Sequence, residues 1–178
     1  MIKLDQLMLL LNNKFLNQYN TTIVGGFDEP FYQASKDGNQ AEIQFTRDYI
    51  RSALHELSHW CVAGNERRKH DDYGYWYAQD GRTQQQQDEF FKLEVKPQAI
   101  EWAYSIFCGV QFQPSVDNLN NQVQGVEQFG QNLRIQMQQN LDKGFSKRVS
   151  EIITVLANYV GITDPRAFIS QKTSMKNN

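Results

Sequence analysis

An α+β domain, mostly helical with a small sheet in its N-terminal half, is predicted by three observations. Apolar residues recur three and four positions apart along most of the chain, the period of a buried helix face. Short β-favouring runs occur only between residues 21 and 46. No repeat and no linker divides the 178 residues, 40% of which are hydrophobic, so one core of fair size is expected. The domain is read as residues 1–170, with residues 171–178 as a polar, disordered tail.

The elements follow in order. Ile2, Leu4, Leu7, Leu10, Leu11 and Phe15 share a helical spacing, so residues 2–18 read as an amphipathic helix. Residues 21–24 read as a strand stopped by Gly25-Gly26, and Phe31-Tyr32 as a short strand among turn residues. Ile43 and Phe45 alternate with polar partners, which makes residues 41–46 a strand. Residues 48–62 return to a helical pattern, with Gly64 as the stop. Residues 65–83 read as loop. Thr83 can cap a helix over 84–93, and Pro97 then starts or kinks a second helix reaching Cys108. Asn and Gln dominate 117–124, a loop, and helices over 126–142 and 146–160 flank Gly144.

Several classes of function are disfavoured. A formal charge of −2 predicts no general affinity for nucleic acid or membranes. No apolar run nears the ~18 residues of a spanning helix, and the N-terminus lacks a cleavage site, so a cytoplasmic protein is expected. Cys61 and Cys108 lie in apolar stretches and read as buried, reduced thiols.

The sequence His55-Glu56-Leu57-Ser58-His59 carries the chemistry. On a helix, histidines four apart lie one turn apart on one face and can converge on one cation. Two of the chain's three histidines are in this motif, surrounded by Ala53, Leu54, Leu57, Trp60, Cys61 and Val62. A zincin-like metal helix is the expectation. A third ligand must come from elsewhere. Glu89, Glu94 and Glu101 are candidates, with His70, Asp71 and Asp72 as outsiders, and Glu94, Gln98 and Glu101 can share one helix face. Two histidines and a carboxylate serve hydrolytic zinc, with Glu56 as general base, and equally serve non-haem iron, with Glu56 outside the ligand set. The motif spacing alone points first to a zinc peptidase. A purely structural metal fits less well, since such zinc sites usually have four protein ligands and Cys61 lies on another helix face.

Longer blocks narrow the reading. They are Leu54 to Gly64, Tyr73-Gly74-Tyr75-Trp76-Tyr77 with Asp80-Gly81-Arg82, and Glu94 to Trp102, with Asp28-Glu29-Pro30 before and Asp117-Asn118-Leu119 after. In order and spacing they resemble the bacterial elongation factor P hydroxylase family over roughly residues 25–120. The resemblance implies hydroxylation of the lysine of elongation factor P that already bears a β-lysyl group, the last step in maturing that factor. It implies Fe(II) held by His55, His59 and Glu94; beside such an iron, Glu56 is read as the catalytic residue that orients a water or passes a proton. Attack on an unactivated C–H bond needs redox-active iron and dioxygen rather than zinc hydroxide. Gly25-Gly26 is no dinucleotide fingerprint, so an external reductant is expected. A long cationic substrate calls for aromatic faces and carboxylates. Tyr73, Tyr75, Trp76 and Tyr77 could supply the first and Asp71, Asp72 and Asp80 the second, with Gln98 as a further contact. The basic run Arg67-Arg68-Lys69 could touch the protein substrate or simply face solvent.

Overall fold

The computed structural model describes residues 1–72, 82–117 and 123–174. Helix α1 (Leu4–Lys14) and a short 3₁₀ turn (Leu16–Tyr19) lead into a three-stranded sheet. Its strands are β1 (Thr21–Phe27), β2 (Phe31–Gln33) and β3 (Ala41–Thr46), in the order β1-β3-β2. β1 runs parallel to β3, and β2 antiparallel to it. β3 takes the centre because it has something to bury on both faces: Ala41, Ile43 and Phe45 on one, Gln44 on the other.

The glycine pair does not stop β1 as the sequence suggests. The strand runs through Gly25 and Gly26, and its register against β3 shifts between Val24 and Phe27. A Cβ on Gly25 would lie 2.5 Å from Cζ of the fully buried Phe45, and Gly26 has φ +97°. The two glycines therefore build a bulge inside a strand.

β3 passes through a tight turn into α2 (Ile50–Val62), where the Thr46 N–H donates to Ser52 Oγ at 3.1 Å. α2 packs on α3 (Gln84–Cys108), 25 residues long. The expected break at Pro97 is absent, and one continuous helix replaces the two predicted. A proline inside a helix costs roughly 3 kcal/mol, through a lost hydrogen bond and a steric clash. Burial offsets that cost, because nearly every residue from Pro97 to Cys108 is shielded from water. Thr83 caps α3 as predicted, with Gln86 closing the capping box, and Gly109 at φ +68° ends it.

Helices α4 (Val126–Lys143) and α5 (Lys147–Tyr159) pack against α3. The Phe91 and Phe129 rings stack at 4.5 Å between α3 and α4. A further helix, α6 (Pro165–Ser174), corrects the disordered-tail reading for residues 171–174. Asp164 accepts the Ala167 N–H at 3.0 Å, Pro165 opens the helix, and Ile169 is fully buried. Buried side chains from all six helices and the sheet form one hydrophobic cluster. Among the described residues, no helix is long and apolar enough to cross a membrane.

Candidate metal centre

The two histidines of α2 point toward α3, while Ala53, Leu54, Leu57, Ser58, Trp60 and Cys61 bury the rest of the helix. Their Nε2 atoms lie 3.0 Å apart. From α3, Glu94 brings Oε1 to 3.2 Å from His59 Nε2 and Oε2 to 3.7 Å from His55 Nε2. One possible ligand atom from each of His55, His59 and Glu94 lies within 4.8 Å of the others. Glu94 is 2% exposed, whereas the histidine side chains keep 25% and 21% of their surface. Such a centre is closed beneath and open on one side.

The other candidate carboxylates are placed differently. Glu101 meets the opposite edge of the His55 ring, 2.9 Å from Nδ1. With Nδ1–H donating to Glu101, the Nε2 lone pair is directed toward His59 and Glu94, the usual way a carboxylate orients a ligating histidine. Glu89 sits at the surface and pairs with Lys92. Asp71 accepts from Lys36 and from the Ala34 N–H, and Asp72 pairs with Arg67, so neither is drawn to the histidines. His70 is exposed. Both cysteines are buried free thiols, as expected. Cys61 contacts the Tyr104 hydroxyl at 3.4 Å, and burial pushes its thiol up to about 12.

Glu94 is itself held. Gln98, fully buried, donates from Nε2 to Glu94 Oε2 at 3.1 Å and to the Ser115 carbonyl at 2.9 Å. Its Oε1 accepts the Ser115 N–H at 2.9 Å. The amide expected to touch substrate is thus engaged with a carboxylate and a backbone segment. Tyr73, Tyr75, Trp76, Tyr77 and Asp80, the other expected substrate contacts, lie outside the described residues.

The electrostatics call for positive charge at this spot. Burial alone would lower the His55 pKa. The Glu101 hydrogen bond, with the charges of Glu101, Glu94 and Glu56, overrides that and lifts it to about 10. Burial likewise works to raise Glu94, but His59, His55 and the Gln98 amide override it and hold the carboxyl at about 2. Burial raises Glu56, against the pull of both imidazoles. A divalent cation between two Nε2 atoms and a carboxylate would answer this demand, and the donor set suits zinc or ferrous iron.

Glu56 and His59 also line a cleft of about 240 Å³ between β2 and the C-terminal end of α2. Phe31, Tyr32, Trp60, Gly64 and the Arg67–Asp72 pair complete much of its wall. Sequence reasoning missed this cleft, since its residues come from separate elements. It also left Glu101 undecided, although Glu94, Gln98 and Glu101 are indeed buried together on the α2-facing side of α3.

Comparison with known proteins adds an independent line. A model of the family described as elongation factor P hydroxylase matches residues 10–168. The chain is also 40% identical over 163 residues to the elongation factor P lysine hydroxylase of Haemophilus influenzae, covering 91% of this chain and 92% of that relative.

Proposed function

Because the chain belongs to the elongation factor P hydroxylase family, we propose that it hydroxylates the β-lysylated lysine of elongation factor P with Fe(II) held by His55, His59 and Glu94. One observation carries the metal assignment: both Nε2 atoms and the Glu94 carboxylate converge, while Glu101 engages the far side of His55. The same geometry would suit zinc. Membership of the family, which covers nearly the whole chain, speaks against a peptidase that shares only the five-residue motif. α2 is zincin-like in the spacing of its histidines.

Bound ferrous iron, with dioxygen and an external reductant, supplies the oxidising power to replace an unactivated C–H bond. The chain's own residues supply the setting. Glu101 fixes the His55 ring and its tautomer. Gln98 fixes the Glu94 carboxylate. The partly exposed edges of His55 and His59 leave an approach for a side chain of a protein substrate.

The test is direct. The protein is purified without oxygen, loaded with Fe(II) or Zn(II), and mixed with β-lysylated elongation factor P; air is then admitted and the factor is weighed by mass spectrometry. A gain of one oxygen with iron alone, lost in His59→Ala, is expected. Peptide cleavage by the zinc form, with the factor's mass unchanged by the iron form, refutes the assignment.

A further inference from the structure

We propose that the cleft between β2 and the end of α2 receives the cationic end of the modified lysine, with Glu56 as the carboxylate that recognises its ammonium group. This rests on the hydroxylase reading and adds a subsite to it. The cleft begins at His59, so a chain lying in it passes alongside the ligand cluster. At about 240 Å³ it is smaller than the roughly 300–1,000 Å³ of sites for drug-sized ligands, which suits one extended side chain.

The charges decide what kind of side chain. Among the described residues, the charged side chains that line the cleft are Glu56, Arg67, Arg68 and Asp72. Arg67 and Asp72 form an ion pair. Arg68 donates to the Ala63 carbonyl and to Asn65 Oδ1, and lies over the Trp60 ring at 5.5 Å. Glu56 differs from all three. Among the described residues it has neither a hydrogen bond nor an ion pair, although it is partly buried near His55, His59, Glu94 and Glu101. A partly buried carboxylate that makes no hydrogen bond is unfavourable, and an ammonium group would supply both the hydrogen bond and the countercharge. Phe31 and Tyr32 on the β2 side offer apolar and aromatic surface to methylenes and to a cation. An anionic ligand would meet arginines already engaged and the open carboxylate of Glu56. The geometry therefore makes Glu56 a specificity-determining group for a cationic chain.

Two variants test it. Glu56→Gln keeps shape and removes charge. Gly64→Phe places a ring at the cleft wall, where an added Cβ meets nothing within 4 Å and the backbone has no positive φ. Hydroxylation of β-lysylated elongation factor P is measured with the Fe(II)-loaded proteins, alongside iron content and melting temperature. For both variants KM is expected to rise roughly ten- to hundredfold, about the size of one charge-assisted contact, with iron content unchanged. A fall in kcat of Glu56→Gln at constant KM, or an unchanged KM in Gly64→Phe, overturns the proposal. A second measurement avoids turnover: cadaverine is titrated into the metal-free proteins and tryptophan fluorescence, reporting through Trp60, is followed. Saturable binding by wild type, lost in both variants, is expected. Equal binding by all three, or binding by none, overturns the cleft assignment. Wild type that binds cadaverine in this way but adds no oxygen to the factor refutes the hydroxylase reading while leaving the cation site supported.

Discussion

Glu94 and Glu101 lie on the same face of α3, and exchanging their assigned roles would change the chemistry of the centre. Each is replaced in turn by alanine, with Glu101→Gln as a third variant. Glu94 is expected to be a direct ligand. Structural zinc sites hold their metal with apparent free energies of about 10–16 kcal/mol, usually over four ligands, so one ligand is worth roughly 3–4 kcal/mol, or on the order of 10²–10³ in affinity. Glu101 acts through the Nδ1–H of His55 at 2.9 Å. Losing such an outer partner typically costs about 10–100-fold, or roughly 1.4–2.7 kcal/mol. Glu101→Gln keeps an acceptor for that N–H, so its loss should fall at the low end of the range. The assay is competition for Zn(II) and Fe(II) against a chromophoric chelator, without oxygen, with circular dichroism as the check on folding. The expected ranking of metal loss is Glu94→Ala, then Glu101→Ala, then Glu101→Gln. Metal retained in Glu94→Ala and lost in Glu101→Ala would show that the ligand and its support have been exchanged.

Three further outcomes concern the scaffold. Gly25→Ala would push a methyl group against the Phe45 ring, which is fully buried, and should destabilise the fold by about 1–3 kcal/mol in a denaturant titration; an unchanged midpoint would mean that the bulge can open at no cost. Asp164→Ala removes the acceptor for the Ala167 N–H and should cost about 1 kcal/mol, read as faster amide exchange confined to α6. Asp71 is held below the usual aspartate value of 3.8 by the Lys36 hydrogen bond first and the Ala34 N–H second. Its folded pKa is depressed, so the stability it contributes is present above 3.8 and is lost as the pH falls through the lower folded value. Wild type should therefore exceed Asp71→Asn in stability at pH 6 and lose that advantage toward pH 3, and a constant difference across this range would refute the assignment.

Much of the sheet and of α2 was legible because the deciding forces are local. Alternation marks β3, whose observed bounds are Ala41–Thr46, and histidines four apart mark the side of α2 that meets Glu94 and Glu101 of α3. Where packing overrode local propensity, the expectation failed. Gly25-Gly26 reads as a stop until Phe45 is seen to need the space, and Pro97 reads as a break until the helix around it is seen to be buried. α6 is another kind of miss, since Asp164-Pro165 carries the signature of a capped helix start in an otherwise polar stretch. The choice between Glu94 and Glu101 was not legible from spacing, because only the approach of α3 to α2 decides which carboxylate meets Nε2 and which meets Nδ1. The cleft is assembled from β2, the end of α2 and the 3₁₀ turn Arg67–Lys69, a juxtaposition that no local pattern encodes.

The grip of Gln98 on both Glu94 and Ser115 has a thermodynamic consequence. One amide side chain serves the carboxylate and the N–H and C=O of a segment with no strand or helix of its own, and Arg82 and Gln87 tie the same segment down through the Val116 and Asp117 carbonyls. A cation that favours this orientation of Glu94 would therefore also favour these hydrogen bonds to the segment, and by reciprocity anything that breaks them would weaken the cation's hold. The Ser115 amide is a built-in reporter: its exchange with solvent should slow when the centre is filled and quicken when it is emptied, at a distance from any atom that touches the metal.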